Sequence, residues 1–472
     1  MNHREKPAIA IVGGGITGLS AAWEIRQRAP EIDLILLEAG NRWGGKVLTQ
    51  TMPGPDGGQF IIDAGPESFV TRKREIWDLV RELGLEDRVI DPGAEASGTY
   101  VLTEGRALRL PLDPISFISS PLLSARGKLR LLREPFIPAK RDDGDESLAD
   151  FVTRRLGAEA LEKFIGPVLG GIYNTNPETQ SILVTSPIMR QMEAAHGSLV
   201  AATLARLRAG KQATADPNPP PSRFIGFRNG AEELINALVD QLDADMRLNT
   251  SVTAIEPNAD GWAIITATER WTAGAVIMAT PANVTARMLA GSAPEAAARL
   301  AEIRHNSIGT ISLAYRTDDL SLTVPIRGLM IPRREGRRID AVVYTSAKIP
   351  TRAPAGTGLL RVFFGGGDST TATMPEAELV RVVRTELAEL LGITAEPLDY
   401  RLARWPDSYA QADVGHLERV AAIEYSLPSG IYVAGGSYRG LAVPDCVKQG
   451  RLAGAQAVAL SARSSEITSL SR

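Results

Sequence analysis

Three features of the chain point to an α/β protein of several domains. A continuous apolar run at residues 8 to 12 passes through spaced glycines into an amphipathic helix. A second apolar run, "DLILLE" at 33 to 38, follows that helix. Beyond residue 225, helical segments alternate with runs of strand character to the end of the chain. At 472 residues the chain exceeds one hydrophobic core, so about three domain-sized units are expected. With 44% apolar and 23% charged residues, the composition is that of a globular protein. A net charge of -3 supplies no basic surface for nucleic acid. The single cysteine, Cys446, excludes an internal disulfide or a CxxC pair. His3, His196, His305 and His416 are widely separated, so a histidine-built metal site is not expected. The opening "MNHREKPAIA" lacks the apolar core of a signal peptide, and no apolar run reaches the ~18 residues that span a bilayer. A cytoplasmic location is expected, with attachment to a membrane surface left open.

In chain order, "AIAIV" at 8 to 12 has the character of a central parallel strand covered on both faces. Gly13, Gly15 and Gly18, with Gly14, Ile16 and Thr17 between them, satisfy GxGxxG. The first glycine permits a tight turn, the second lets backbone approach a pyrophosphate, and the third lets helix pack on strand. Ile16, Leu19, Ala22, Trp23 and Ile25 recur at helical spacing, and the helix dipole faces the phosphates. The second strand ends at Glu38, 20 residues beyond Gly18, where a carboxylate can accept from ribose hydroxyls. Strand, helix, second strand and acid together predict a dinucleotide site. Without a ligand, the same glycines would serve packing only. After Glu38 come Ala39, Arg42, Gly44, Gly45 and Lys46, a string that resembles the extension many FAD oxidoreductases carry. Its glycines admit the cofactor and its cations can face the pyrophosphate. A flavoprotein reductase would need a second such fingerprint. "FFGGGDST" at 363 to 370 lacks the third glycine and reads as a strand end and turn. One dinucleotide site favours an FAD oxidase or desaturase.

Residues 75 to 84 predict an amphipathic helix closed by glycine. From 92 to 224 the pattern is short helices with prolines, including a helix at "DESLADFVTRRLG" that Asp145 or Ser147 can cap. "ADPNPPPSRF" at 215 to 224 marks a boundary. Residues 247 to 278 alternate like a meander, 305 to 367 read mainly as strands, and 376 to 391 as a helix. The tail reads as strand, glycine turn and terminal helix, which suggests a return to the nucleotide domain. The expected organisation is therefore an FAD-binding domain from 1–91, 225–304 and 401–472, a helical, substrate-side domain at 92–224, and a substrate-binding domain at 305–400.

"IVGGGITGLSAAW", "LLEAGNRWGGK", "GPESFVTRK", "DESLADFVTRRLG", "GPVLGGIYNTNPETQSI", "GFRNGAEEL" and "VAGGSYRGLAVPDCVKQGR" appear in one order along the chain. Together they resemble the FAD-dependent porphyrinogen oxidases of haem synthesis, which act on coproporphyrinogen III or protoporphyrinogen IX. The resemblance runs from near residue 8 to near 455. It implies a p-hydroxybenzoate-hydroxylase-like architecture: a Rossmann-type FAD domain, a mixed-sheet substrate domain and a helical domain. It also implies FAD contacts at Gly13 through Gly18, Glu38, Ala39 and Lys46. Further implied contacts are Gly65, Pro66, Glu67 and Ser68, then Val252, Trp405, Leu441, Ala442 and Val443. The chain departs from many relatives at Ala64, Glu67 and Arg439, all at the expected flavin rim.

The implied chemistry is a six-electron oxidation of coproporphyrinogen III, or alternatively of protoporphyrinogen IX, in three passes through one flavin, with oxygen as acceptor and hydrogen peroxide as product. The cofactor supplies the redox step, and the protein must position a carbon beside it. Carboxylate arms call for cations, and Arg72 and Lys73 follow directly on "GPESFVT". The alternative for "TRKRE" is a solvated helix start. Ile172 and Tyr173 are candidate walls for the macrocycle, against ordinary core packing. Phe363 and Phe364 should alternate across a strand. Tyr438 and Arg439 either approach the flavin or form a structural turn, and Cys446 is expected to pack. "RREGRR" at 333 to 338 reads as an exposed hairpin or loop whose cations can attract an anion. The resemblance also implies a transient contact with the next enzyme of the haem pathway. Rival readings are an amine oxidase or carotenoid desaturase, and a non-catalytic FAD-binding protein.

Overall fold

The computed structural model describes residues 9–93, 98–110, 120–167, 169, 176–209, 218–320, 322, 326–366 and 369–470. Its organising element is a five-stranded parallel sheet assembled from distant segments. In chain order the strands are β1 (Ile9–Val12), β2 (Leu34–Leu37), β3 (Asp245–Arg247), β4 (Ala275–Met278) and β5 (Ile431–Val433). Across the sheet they run β3-β2-β1-β4-β5, all parallel. That is the doubly wound order, which leaves a crevice where the winding reverses at the carboxyl end of β1. Two helices lie on one face: α1 (Ile16–Arg28) and α2 (Val443–Leu470).

The strands read as unbroken apolar runs because both faces are covered. Ile9, Ile11, Leu34 and Leu36 join a core with Leu19 and Trp23 of α1 and Val447 of α2. Ala10, Val12, Ile35 and Leu37 point the other way, against Ile264 and Trp271 of a three-stranded antiparallel sheet and Met288, Leu289 and Leu300 of two helices. Side chains alternate with period two, so each strand serves both cores.

A seven-stranded mixed sheet forms the second layer. Its long second strand, His305–Arg316, pairs antiparallel with the edge strand Asp399–Ala410 on one side and with Thr357–Phe364 on the other. The helix Glu376–Leu391 covers it through Leu379, Val383 and Leu387. Two boundaries differ from expectation. Thr99–Thr103 and Arg106–Arg109, in the segment read as helical, form a hairpin at the edge of this sheet. Glu104 (φ 51°) and Gly105 (φ 73°) make its turn, the left-handed pair that suits the twist of two-residue hairpins. Asp399–Ala410, expected to begin the last dinucleotide segment near 401, belongs to this sheet along its whole length.

In the helical region Ser147, rather than Asp145, caps Leu148–Arg155: its Oγ accepts from Asp150 N at 2.9 Å. Behind this helix Arg155 pairs with Glu134, both fully buried. Glu134 also accepts from Leu199 N (2.9 Å), Val200 N (3.1 Å) and Ser198 Oγ (2.6 Å), tying a carboxylate to the positive end of Leu199–Ala209. No helix among the described residues is long and apolar enough to cross a membrane.

Candidate cofactor and active site

The glycine turn leaves β1 for α1 with Gly13 at φ 110°. A side chain at Gly13 would meet Ala279 O at 2.7 Å, and one at Gly18 would meet Gly13 O at 2.0 Å, so helix and turn touch through backbone. Gly15 is different. It caps α1 without a side-chain hydrogen bond, and a Cβ there would find only Gly45 Cα, at 3.9 Å. The first N–H groups of α1 therefore open onto space that protein does not fill, the usual seat of a phosphate.

Other segments close around this opening. Gly44 N donates to Gly14 O at 2.8 Å, placing the 38–46 loop beside the turn. Gly65 packs on the Lys46 carbonyl, and Gly435 lies near Thr17 Oγ1. Glu38 is held at both carboxylate oxygens, Oε2 by Gly14 N and Oε1 by Gly40 N, each at 2.7 Å. Each oxygen keeps a further lone pair for a hydroxyl. Ala39 is exposed next to it, and Val252 follows Thr250, whose N–H donates to Glu38 O at 2.8 Å. We expect Glu38→Ala to weaken FAD binding on the order of tenfold, read by quenching of flavin fluorescence on titration. Retention equal to the parent would remove Glu38 from the site.

The two loop cations differ. Arg42 donates to the carbonyls of Trp43, Gly45 and Val47, so it braces its own loop rather than facing the opening. Lys46 is exposed by area, yet desolvation lowers its ammonium pKa, opposed by the nearby Cys446. Both hold together if the side chain faces a deep cleft. Cys446 packs at the start of α2, where burial pushes its thiol up to about 11.

Gly65 through Ser68 meet cations that the sequence reading did not single out. Lys348 Nζ lies 2.6 Å from Glu67 Oε1 and 3.3 Å from Ser68 Oγ. Arg361 donates to the carbonyls of Ala64 (2.9 Å) and Gly65 (2.6 Å), and Thr310 Oγ1 donates to Ala64 O at 3.0 Å. Burial alone would raise the Glu67 pKa; Lys348 and Arg361 overcome it and bring it below the usual value. Arg361 thus puts a guanidinium beside Ala64. One step back, Arg352 pairs with Asp63 at 2.8 Å, both buried, and Asp63 accepts from Ala231 N and Thr49 Oγ1. No signal marks these cations in the sequence: each is single, on another strand or turn, and 281 to 297 residues from its partner.

At the tail, Leu441, Ala442 and Val443 lead into α2 and keep partial exposure, as cofactor neighbours would. Tyr438 is 1% exposed, and Arg439 pairs with Glu424 near the surface. Trp405 pairs with Ile308, beside a bulge where Ser307 and Asp407 exchange hydrogen bonds. His305, which starts the same strand, donates through Nδ1 to Ile303 O (2.8 Å), leaving Nε2 to accept from Ser437 at 3.1 Å. It couples the mixed sheet to the tail turn and was not foreseen. Of the substrate candidates, Arg72 is exposed, and Lys73 sits 2.5 Å from Asp445 at the start of α2. Ile172 and Tyr173 lie outside the described residues. Phe364 is core and Phe363 faces the other way under Arg361, as alternation requires.

An open helix terminus, a ribose-height carboxylate and glycine backbone from several segments fit an adenine-bearing flavin. Fold and site together define a flavin-dependent oxidoreductase. Residues 16–458 match the family described as flavin containing amine oxidoreductase. The chain is 30% identical to the coproporphyrinogen III oxidase of Bacillus subtilis over 95% of its length and 97% of that protein's. It is 31% identical to the coproporphyrinogen III oxidase of Staphylococcus aureus over 96% of its length and 99% of that protein's. A crystal structure from Exiguobacterium sp. 255-15, assigned as a protoporphyrinogen oxidase, superposes with a TM-score of 0.83 at 27% identity, covering 98% of this chain and 100% of that one. The chain belongs to the flavin containing amine oxidoreductase family, and its cofactor is FAD.

Proposed function

We propose that the protein oxidises coproporphyrinogen III to coproporphyrin III in haem biosynthesis, with oxygen as acceptor and hydrogen peroxide as product. The observation that carries this is the end-to-end similarity to two coproporphyrinogen III oxidases, over 95% and 96% of the chain. Bound FAD supplies the two-electron chemistry. In this reading the N–H groups around Gly13 to Gly18 hold the pyrophosphate, Glu38 takes the ribose, and Lys46, Gly65 to Ser68, Val252, Trp405 and Leu441 to Val443 surround the rest. Lys348 and Arg361 fix Glu67 and the backbone at Gly65, which keeps that wall rigid. Arg72, Lys73, Ile172 and Tyr173 remain proposed substrate contacts; Lys73 would have to exchange Asp445 for a substrate carboxylate.

Oxidation of protoporphyrinogen IX is the second reading, supported by the structural relative from Exiguobacterium. Purified protein supplied with each porphyrinogen in air should produce porphyrin fluorescence, faster with coproporphyrinogen III. No gain over the enzyme-free control with either substrate refutes the assignment. Weak attachment to a membrane surface is supported by Leu129, Leu132, Phe136 and Leu207, all more than half exposed, among Arg126, Lys128, Arg206 and Arg208. Sedimentation with anionic vesicles, lost in high salt, is the expected result. Transient contact with the next haem-pathway enzyme is part of the same reading.

A further inference from the structure

We infer that His305 is a positioning residue for the flavin: through Ser437 it seats the tail turn against the dinucleotide fingerprint. The inference concerns retention of the cofactor, so it stands whichever substrate the enzyme oxidises.

The turn lies on the fingerprint and needs an external grip. A side chain at Gly435 would stand 3.5 Å from Thr17 Oγ1, in the first turn of α1. The segment reads "GGSYRG" from 435 to 440, and Gly435 (φ 129°) and Gly440 (φ 126°) both take positive φ, where glycine alone is at ease. Side chains from three elements hold what these glycines leave loose. His416, at the start of the helix His416–Ser426, donates from Nε2 to Tyr438 O at 2.7 Å. Gln449 of α2 accepts from Arg439 N at 3.1 Å and donates to Gly440 O at 3.2 Å. His305, the first residue of its strand, holds Ser437.

At Ser437 the grip is a directed chain. Ala282 N donates to Ser437 Oγ at 3.1 Å, and the Ser437 hydroxyl donates to His305 Nε2 at 3.1 Å. His305 Nδ1–H donates to Ile303 O at 2.8 Å. A carbonyl only accepts, so Nδ1 carries a proton and Nε2 keeps its lone pair while the ring is neutral. A second proton, on Nε2, would leave the Ser437 hydroxyl without its acceptor, and Ser437 is buried. Desolvation lowers the His305 pKa; the Ile303 carbonyl and Asp407 oppose this, while Lys46 and His416 reinforce it. A value lowered in the seated state means that seating is complete above the ordinary histidine pKa of about 6.5. It weakens as pH falls from there towards the lowered value.

The test dilutes the flavin-loaded parent, His305→Gln and His305→Leu, and reads the FAD dissociation constant from the flavin fluorescence regained. It is run at about pH 8 and about pH 5.5, on either side of the ordinary histidine value. A glutamine side chain keeps an acceptor that does not titrate between them. Parent affinity should fall on the order of tenfold on acidification, while His305→Gln should change less than about threefold. At the higher pH His305→Gln should match the parent within about threefold, and His305→Leu should bind about tenfold more weakly. His416 is present in every variant, so its own titration cancels from the comparison. Equal pH dependence in the parent and His305→Gln overturns the proposal. So does a parent affinity that improves on acidification, since attraction between a charged His305 and the diphosphate would then dominate. If His305→Leu fails to fold, the parent and His305→Gln decide the matter between them.

Discussion

Gly15→Ala should purify folded but nearly colourless, with bound FAD below about a tenth of the parent's at equal flavin concentration. The expectation comes from the space around this residue. Gly15 has φ -74° and ψ 176°, a conformation open to alanine, and its Cβ would touch no protein atom closer than Gly45 Cα at 3.9 Å. The protein therefore has little reason to resist the methyl group. The methyl would instead stand where backbone must approach the pyrophosphate, at the mouth of the α1 terminus. Gly18→Ala is the contrasting control. Its Cβ would lie 2.0 Å from Gly13 O, so α1 must move off β1 and stability must fall together with flavin binding. Flavin absorbance and thermal unfolding separate the two. A Gly15→Ala protein that stays yellow would mean the cofactor does not use this terminus.

Arg352→Ala should destabilise the protein by about 3–5 kcal/mol, the usual penalty for stranding one member of a buried ion pair. Arg352 and the Asp63 side chain are 0% and 1% exposed and 2.8 Å apart. Arg352 also donates to the carbonyls of Phe227 and Arg228, so its loss opens two further buried acceptors. Burial raises the Asp63 pKa, and Arg352 opposes that rise. Without the guanidinium the folded pKa climbs further above its unfolded value. A raised carboxylate pKa means that the folded state holds the proton more tightly, so stability recovers as pH falls through that pKa. The deficit in denaturant midpoint should therefore be smaller near pH 5 than near pH 8. An equal deficit at both values would show that packing around Arg352, not the charge on Asp63, sets the effect.

Much of the dinucleotide half was legible because its signals are local. GxGxxG, the amphipathic helix and Glu38 lie within one short stretch, and backbone sterics at Gly13 and Gly18 act over a few residues. The edge hairpin at 99 to 109 was read wrongly because prolines nearby masked a short alternation. The role of Arg42 was misjudged because sequence gives a cation's charge but not its direction. The resemblance carried the Gly65 to Ser68 block, yet nothing local announces that Lys348, Arg361 and Thr310 grip it.

The nucleotide fingerprint, the buried character of β1, β2 and β4, and the strand-turn-helix tail are all legible from the residues alone. Each follows from propensity, periodicity or sterics among near neighbours. Which strands share a sheet, and which cation meets Glu67 and Asp63, emerges from tertiary closure alone. Charge pairs have no sequence period, and their partners are chosen by how the chain closes on itself.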